Sequence, residues 1–292
     1  MKHKIIILLF VLTYSLLSMA QVGIGTATPN ANSTLEISST SQGMLFPRMT
    51  AAQRDAISSP AKGLTIYNTD INLVQTNIGT SASPNWKNWA ANLILHLDAG
   101  NASSYAGSGT TWTDLSGLGN NGTLVNGPTY SSADGGAIVF DGVDDHVNCG
   151  TPSMGSGKIT VNAWVKITTG SKFQHIVDCG SDTWHLAILN NNRPYFYNGS
   201  QYHTDASILN VGQWYMLTGV QGTTLDIYIN GVLNKSIASD RTVSSNTLNL
   251  GRAQGFSRPL TGNISQVSIY RRALAASEIA QIFNDTKARF GL

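Results

Sequence analysis

Nine consecutive residues, Ile159–Ile167, constrain this chain more than any other stretch. Their odd positions, Ile159, Val161, Ala163, Val165 and Ile167, are all apolar, and they face Thr160, Asn162, Trp164 and Lys166. A period of two with one apolar face is a β-strand lying on a core. Further strand-like runs follow the same pattern: Leu93–Leu97, Ala137–Phe140, His175–Cys179, Trp184–Leu189, Pro194–Tyr197, Trp214–Val220, Thr224–Ile229, Thr247–Leu250 and Gly262–Tyr270. Turn signals separate them, as an all-β sandwich requires. Asn230-Gly231 between Thr224–Ile229 and the apolar start at Val232 is the strongest hairpin signal in the chain. Trp164 and Trp214 are expected to face inward. Ile279, Ile282, Phe283 and Phe290 recur at helical spacing, which predicts one closing helix over 277–289 laid on the sandwich.

The other end of the chain differs. Lys2 and Lys4 precede an apolar run over 5–17, and Ser18 and Ala20 supply the small residues of a cleavage site, so residues 1–20 read as an export signal. That run is too short for a membrane span. Position 21 is Gln, which offers no cysteine for lipid attachment. Without Lys2 and Lys4 the chain carries sixteen basic and sixteen acidic residues, and this balance argues against nucleic acid as partner. Residues 21–90 hold only short apolar runs, at 34–37, 44–46 and 64–67, and one short helix expected from Thr50 to before Pro60. So little apolar material must stay extended, pack on the second domain at 91–292, or gain a core by oligomerising.

Two resemblances rest on ordered motifs. The opening GIGT–P at 23–29, LFPRM at 45–49 and the stretch 63–70 resemble a segment at the start of many exported proteins of Bacteroidetes-type bacteria. Related stretches precede the tips of fibre proteins. This implies a stalk or assembly segment, with a trimer as the expected oligomer. From residue 92 onward, LHLDA at 95–99, WTDLSG at 112–117, NNGT at 120–123, FDGVDD at 140–145, VNAWVK at 161–166, WYML at 214–217, IYING at 227–231 and GNISQVSIYRRAL at 262–274 resemble the laminin-G-like, concanavalin A-like jelly rolls of secreted bacterial proteins. The resemblance implies two antiparallel sheets, one of them concave, with ligands at the concave face or at a rim of loops.

The chemistry available is that of recognition. Only Glu36 and Glu278 occur in the chain, so a glycosidase carboxylate pair would have to be built from Asp. Glycoside hydrolases sharing this jelly roll carry Glu-x-Asp-x-x-Glu or similar, and nothing here matches it. There is no H-E-x-x-H and no G-x-S-x-G. Flat rings and amides interleave over 184–203, where Trp184, His185, Asn191, Tyr195, Tyr197 and Tyr202 are the expected ligand-binding residues for a glycan. Half of those rings must face inward in any sandwich strand. Asp114, Asn120 and Asn121 lie in a Gly-rich loop and read as turn formers. Asp141, Asp144 and Asp145 could present carboxylates and carbonyls to Ca2+, or serve the sharp turn that Asp and Gly favour. The family pattern draws a structural calcium from an acidic pair in the penultimate strand, where this chain has Ser265 and Gln266. It also places Ser before the final helix, where this chain has Ala275, so the capping box with Glu278 lacks one member. Cys149 and Cys179 either bridge, as an exported chain permits, or sit apart as buried small hydrophobes. The reading is a secreted or surface-displayed, non-catalytic module for a glycan or glycoprotein. A structural or adhesive fibre-tip protein contacting other proteins is the alternative, and a polysaccharide-active enzyme the third.

Overall fold

Strand Ile159–Ile167 is the centre of the first sheet. It pairs antiparallel with Trp214–Gln221 on one side and with Thr261–Tyr270 on the other. The computed structural model describes residues 21–70, 73–88, 92–155, 157–180, 183–199, 202–204, 207–255 and 258–292, without the side chains of 87, 88 and 202–204. The expected export signal, residues 1–20, lies outside the described residues, as do 89–91 at the expected domain boundary.

Around the central strand the first sheet grows to eight strands. Thr224–Ile229 and Val232–Ala238 extend it beyond Trp214–Gln221. On the far side, Leu93–Asp98 and Ala137–Asp141 follow one another along the same edge of Thr261–Tyr270, and Thr129–Ser131 closes that end. The Asn230-Gly231 turn forms as expected. Ile229 pairs with Val232, and both turn residues have positive φ, 51° and 79°, the geometry of a two-residue hairpin that suits Asn-Gly.

The second sheet also has eight strands. In spatial order these are Tyr202–Thr204, Pro194–Tyr197, His185–Ile188, Gln174–Asp178, Asn249–Leu250, His146–Asn148, Gly122–Val125 and Thr111–Trp112. The two inner faces meet in one core that includes Ile138, Phe140, Val161, Val165, Leu186, Phe196, Leu217 and Ile264. Phe196 of the second sheet packs flat on Gly219 of the first. A Cβ at Gly219 would come within 2.6 Å of that ring, so the close approach of the sheets there needs glycine.

The outer face of the first sheet is covered. Helix Ala276–Thr286, continued by the 3-10 turn Lys287–Phe290, lays Ile279, Phe283 and Phe290 on Trp164, Trp214, Met216 and Tyr228. The rings of Phe290 and Trp164 stack at 4.0 Å between centroids. Trp164 and Trp214 are therefore buried, but on the side away from the sandwich interior, which corrects the inward placement expected of them. The pleat decides this: Ala163 and Val165 take the interior, and the even position between them must point outward.

Segment 49–90 adds a helix, Ala51–Asp55, and a small antiparallel sheet in which Thr65–Asn68, Leu73–Asn77 and Trp86–Asn88 are neighbours. Thr50 caps the helix and Gln53 returns a bond to the Thr50 N–H, a complete capping box. Residues 21–48 belong to a separate compact unit. There Val22–Ile24 pairs parallel with Leu35–Ile37, and Val22, Ile24, Leu35, Ile37, Met44 and Leu45 are all exposed.

Cys149 and Cys179 are separate buried thiols, the second of the two arrangements considered. Strand Asn249–Leu250 runs between His146–Asn148 and Gln174–Asp178, the strands that each cysteine directly follows, and pairs with both. Two strand spacings are about 9.6 Å, beyond the roughly 7 Å limit between bridged Cα atoms. Burial pushes both thiols up, that of Cys179 to about 11.

At the helix start, Glu278 accepts from the Ala275 N–H at 2.8 Å and holds Arg272 through two bonds of 2.7 and 2.6 Å. Ala275 has no side-chain acceptor to return the bond to the Glu278 N–H. Ala275→Ser completes the box and is expected to raise stability by about 1 kcal/mol, read as a higher denaturant midpoint at unchanged slope.

Candidate functional site

Pairing register defines a polar row across the outer face of the second sheet. Tyr197 pairs with His185, His185 with Asp178, Asp178 with Asn249, Asn249 with Asn148, and Asn148 with Thr123. Paired residues share a face, so these six side chains point the same way across six strands, a span of about 24 Å. Their sequence neighbours Phe196, Leu186, Val177, Leu250, Val147 and Leu124 fill the core on the other side.

One irregularity enriches this row. His175 and Asp178 are three residues apart, and in a regular strand they would face opposite ways. The register of Gln174–Asp178 against His185–Ile188 shifts between His175 and Val177, leaving Ile176 unpaired. Ile176 and Val177 then both enter the core, while His175 and Asp178 both stay on the outer face.

The resulting cluster is dry and tightly packed. His175 is 1%, Asp178 0% and His185 5% exposed. His175 Nδ1 lies 3.1 Å from Asp178 Oδ1, and His185 Nδ1 lies 3.9 Å from the same oxygen. Asp178 Oδ2 accepts from the Gln254 N–H at 2.9 Å. Among the described residues, His175 Nε2, both nitrogens of His185 and Asn249 Oδ1 are buried without a hydrogen-bond partner. Burial, with His175 and Arg258 nearby, pulls His185 down to about 2, so its ring is neutral.

His185 is also the base of an aromatic platform. The rings of Tyr195 and Tyr197 lie 5.5 and 4.9 Å from it, each within about 26° of parallel, and both tyrosines are half-buried. Phe173 meets Tyr195 edge-on, with the Arg258 guanidinium 4.1 Å above the Phe173 ring. Of the expected ligand-binding residues, the structure thus brings His185, Tyr195 and Tyr197 together. Trp184 is removed from that set: it is fully buried in the interior, because it precedes His185 and the pleat sends it the other way. Asn191 stands apart on the turn after Ile188, its Oδ1 accepting from the Arg193 N–H. The side chain of Tyr202 lies outside what is described.

The acidic turn stands elsewhere. One carboxylate oxygen from each of Asp141, Asp144 and Asp145 lies within 4.8 Å of the others. The turn already uses part of this set, since Asp145 Oδ2 accepts from the Asp141 N–H and Asp141 Oδ1 from the Val143 N–H. Burial raises the Asp145 carboxyl, with Asp141 and Asp144 adding to the rise. His146 bonds the Asp144 backbone oxygen through Nδ1, not a carboxylate. Asp114 is a turn hub, accepting from the backbone N–H groups of His96, Ser116 and Asn120.

In the last strand, Thr261–Tyr270, Ser265 and Gln266 stand where the family pattern has its acidic pair, and an arginine stands beside them. Arg289 donates to Asp98 Oδ1 at 2.6 Å, to the Gly136 oxygen at 2.9 Å and to Ser265 Oγ at 2.7 Å, while Gln266 donates to Asp98 Oδ2. A fixed guanidinium among these oxygens leaves no fit for a second cation there. Asp98 and Arg289 also line a cleft of about 660 Å³ with Tyr67, His96 and Asp285.

Residues 141–280 match the concanavalin A-like lectin/glucanases superfamily, in its laminin-G-type model, and the two-sheet topology agrees with it. The sandwich is a laminin-G-like, concanavalin A-like jelly roll. Residues 23–128 match a phage tail like trimerisation region. No curated protein matches the chain. Among solved structures the jelly roll is similar to domain 4 of AbnA, a GH43 extracellular arabinanase from Geobacillus stearothermophilus in complex with arabinotriose (TM-score 0.53, 19% identity, 65% of this chain and 98% of that one). It is similar to the binding domain of Paraclostridial Mosquitocidal Protein 1 (0.55, 16%, 67% and 52%). It is also similar to Trypanosoma rangeli sialidase in complex with sialic acid (0.52, 14%, 68% and 34%). The chain therefore spans about half of the toxin binding domain and a third of the sialidase.

Sequence reasoning missed His175, Asp178 and Asn249 as members of the site. Their signal is positional, since the bulge and the six-strand register bring them together, and neither is written in local spacing.

The Arg289 anchor ties the last turn of the chain to the first strand of the jelly roll. Arg289→Met keeps the aliphatic stem and removes the charged bonds to Asp98, Gly136 and Ser265. It is expected to cost about 2 kcal/mol in a denaturation experiment.

Proposed function

We propose that this protein is an exported, non-catalytic binding module whose jelly roll recognises a neutral glycan. The observation that carries this reading is the platform of Tyr195 and Tyr197 backed by His185, set at one end of a row that continues through Asn249, Asn148 and Thr123. The apolar face of a sugar ring stacks on such rings, and amides and hydroxyls beside them match its hydroxyl groups. Support also comes from the neighbours: the arabinanase domain is described with arabinotriose, and a botulinum neurotoxin type C structure with ganglioside interaction.

The unit before Met49 serves assembly in this reading. Its exposed Val22, Ile24, Leu35 and Ile37 form apolar surface that a trimer would bury, in keeping with the trimerisation-region match. Three weak glycan sites on one stalk would gain through avidity. Calcium at Asp141, Asp144 and Asp145 belongs to the same proposal, with backbone carbonyls and water completing an oxygen set of six to eight.

A glycan array with the purified protein, run with calcium and with chelator, tests this reading. Retention on a neutral glycan is expected, weakened about ten-fold or more by Tyr197→Ala. No retention on any glycan under either condition overturns the binding proposal, and a monomeric mass by light scattering overturns the trimer.

A further inference from the structure

We propose that His175, Asp178 and His185 form a site for one divalent first-row transition-metal ion of the zinc type, buried on the outer face of the second sheet. The inference rests on these three side chains alone and does not require the glycan reading.

Geometry comes first. Zinc bonds imidazole nitrogen at about 2.0–2.1 Å and carboxylate oxygen at about 2.0–2.2 Å, which puts tetrahedral ligands about 3.4 Å apart. Here the donor atoms are His175 Nδ1, Asp178 Oδ1 and His185 Nδ1. The two nitrogens stand 3.1 and 3.9 Å from the shared oxygen, on either side of that separation, and one ligand atom of each residue lies within 4.8 Å of the others.

Unmet hydrogen-bonding capacity is the second observation. Buried polar atoms are nearly always partnered, and an unpartnered one calls for an explanation. His185 is 5% exposed, and its Nδ1, aimed at Asp178, has no hydrogen-bond partner among the described residues. A metal bond would satisfy it.

Backbone and support add a third. The bulge at Ile176 turns an i, i+3 pair onto one face, and direct pairing with Asp178 places His185 opposite. Bulges of this kind re-aim side chains at functional positions. The second carboxylate oxygen of Asp178 is fixed by the Gln254 N–H, the outer-shell bond that orients a ligating carboxylate. Two imidazoles and one carboxylate select a borderline ion over calcium, and three protein ligands leave a fourth position for water or a ligand oxygen.

The experiment is titration of the untagged protein, stripped by chelator and desalted, with zinc chloride alone by isothermal calorimetry, and with cobalt(II) by visible absorption. One equivalent of zinc is expected to bind with about micromolar affinity or tighter. Asp178→Asn and His185→Gln, each checked for native circular dichroism, should weaken it at least ten-fold, while Asp240→Asn, at an exposed carboxylate, should leave it unchanged. Wild-type protein should give the intense visible cobalt bands of tetrahedral ligation, a readout that needs no variant to fold. Absence of stoichiometric zinc binding, cobalt bands of the hexaaquo ion only, retention of binding by both folded variants, or loss of binding in Asp240→Asn would each overturn the assignment.

Discussion

The pleat of the strand governs this molecule. Each strand has two faces, and a two-sheet sandwich uses only one face of each sheet for its interior. The outer faces must then be accounted for separately, and this chain treats them differently. On the first sheet the outward side chains are Trp164, Trp214, Met216 and Tyr228, and the closing helix covers them with Ile279, Phe283 and Phe290. On the second sheet they are polar or half-buried aromatic, from Tyr197 through His185 and Asp178 to Asn148 and Thr123. One outer face is spent on stability, and the other carries the polar row.

A single extra residue separates an ordinary polar face from a chemically loaded one. With Ile176 bulged, His175 and Asp178 share a face, and the strand across from them brings His185 to the same place. Burying a carboxylate and two imidazoles is costly unless each finds a partner. Asp178 has its partners in His175 and the Gln254 N–H, whereas His185 lacks one among the described residues. Cation handling elsewhere is different in kind. At the last strand, Thr261–Tyr270, Arg289 supplies the positive charge from the chain itself, bonded to Asp98 and Ser265.

Much of the architecture was legible in the residues. The alternation in Ile159–Ile167, the Asn230-Gly231 turn and the stripe of Ile279, Phe283 and Phe290 correspond to elements of the structure, because each depends on local periodicity or local turn chemistry. The short strands Thr111–Trp112, Gly122–Val125, Thr129–Ser131 and His146–Asn148 were not read, being two to four residues long and held by neighbours more than by their own pattern. The candidate site divides along the same line. His185, Tyr195 and Tyr197 could be picked out by composition, but composition could not tell them from Trp184, which differs only in which side of the pleat it occupies.

By itself, the sequence determined an all-β chain with a closing helix, an apolar-poor opening segment and a chemistry poor in glutamate. Those properties follow from side-chain period, turn residues and composition, all of which act over a few residues. Tertiary structure alone decided which outer face the helix would cover, that a strand would stand between Cys149 and Cys179, and that His175, Asp178 and His185 would meet. Strand register and a one-residue bulge set these outcomes. Both arise only when distant segments pair, so nothing in the neighbourhood of any one residue could announce them.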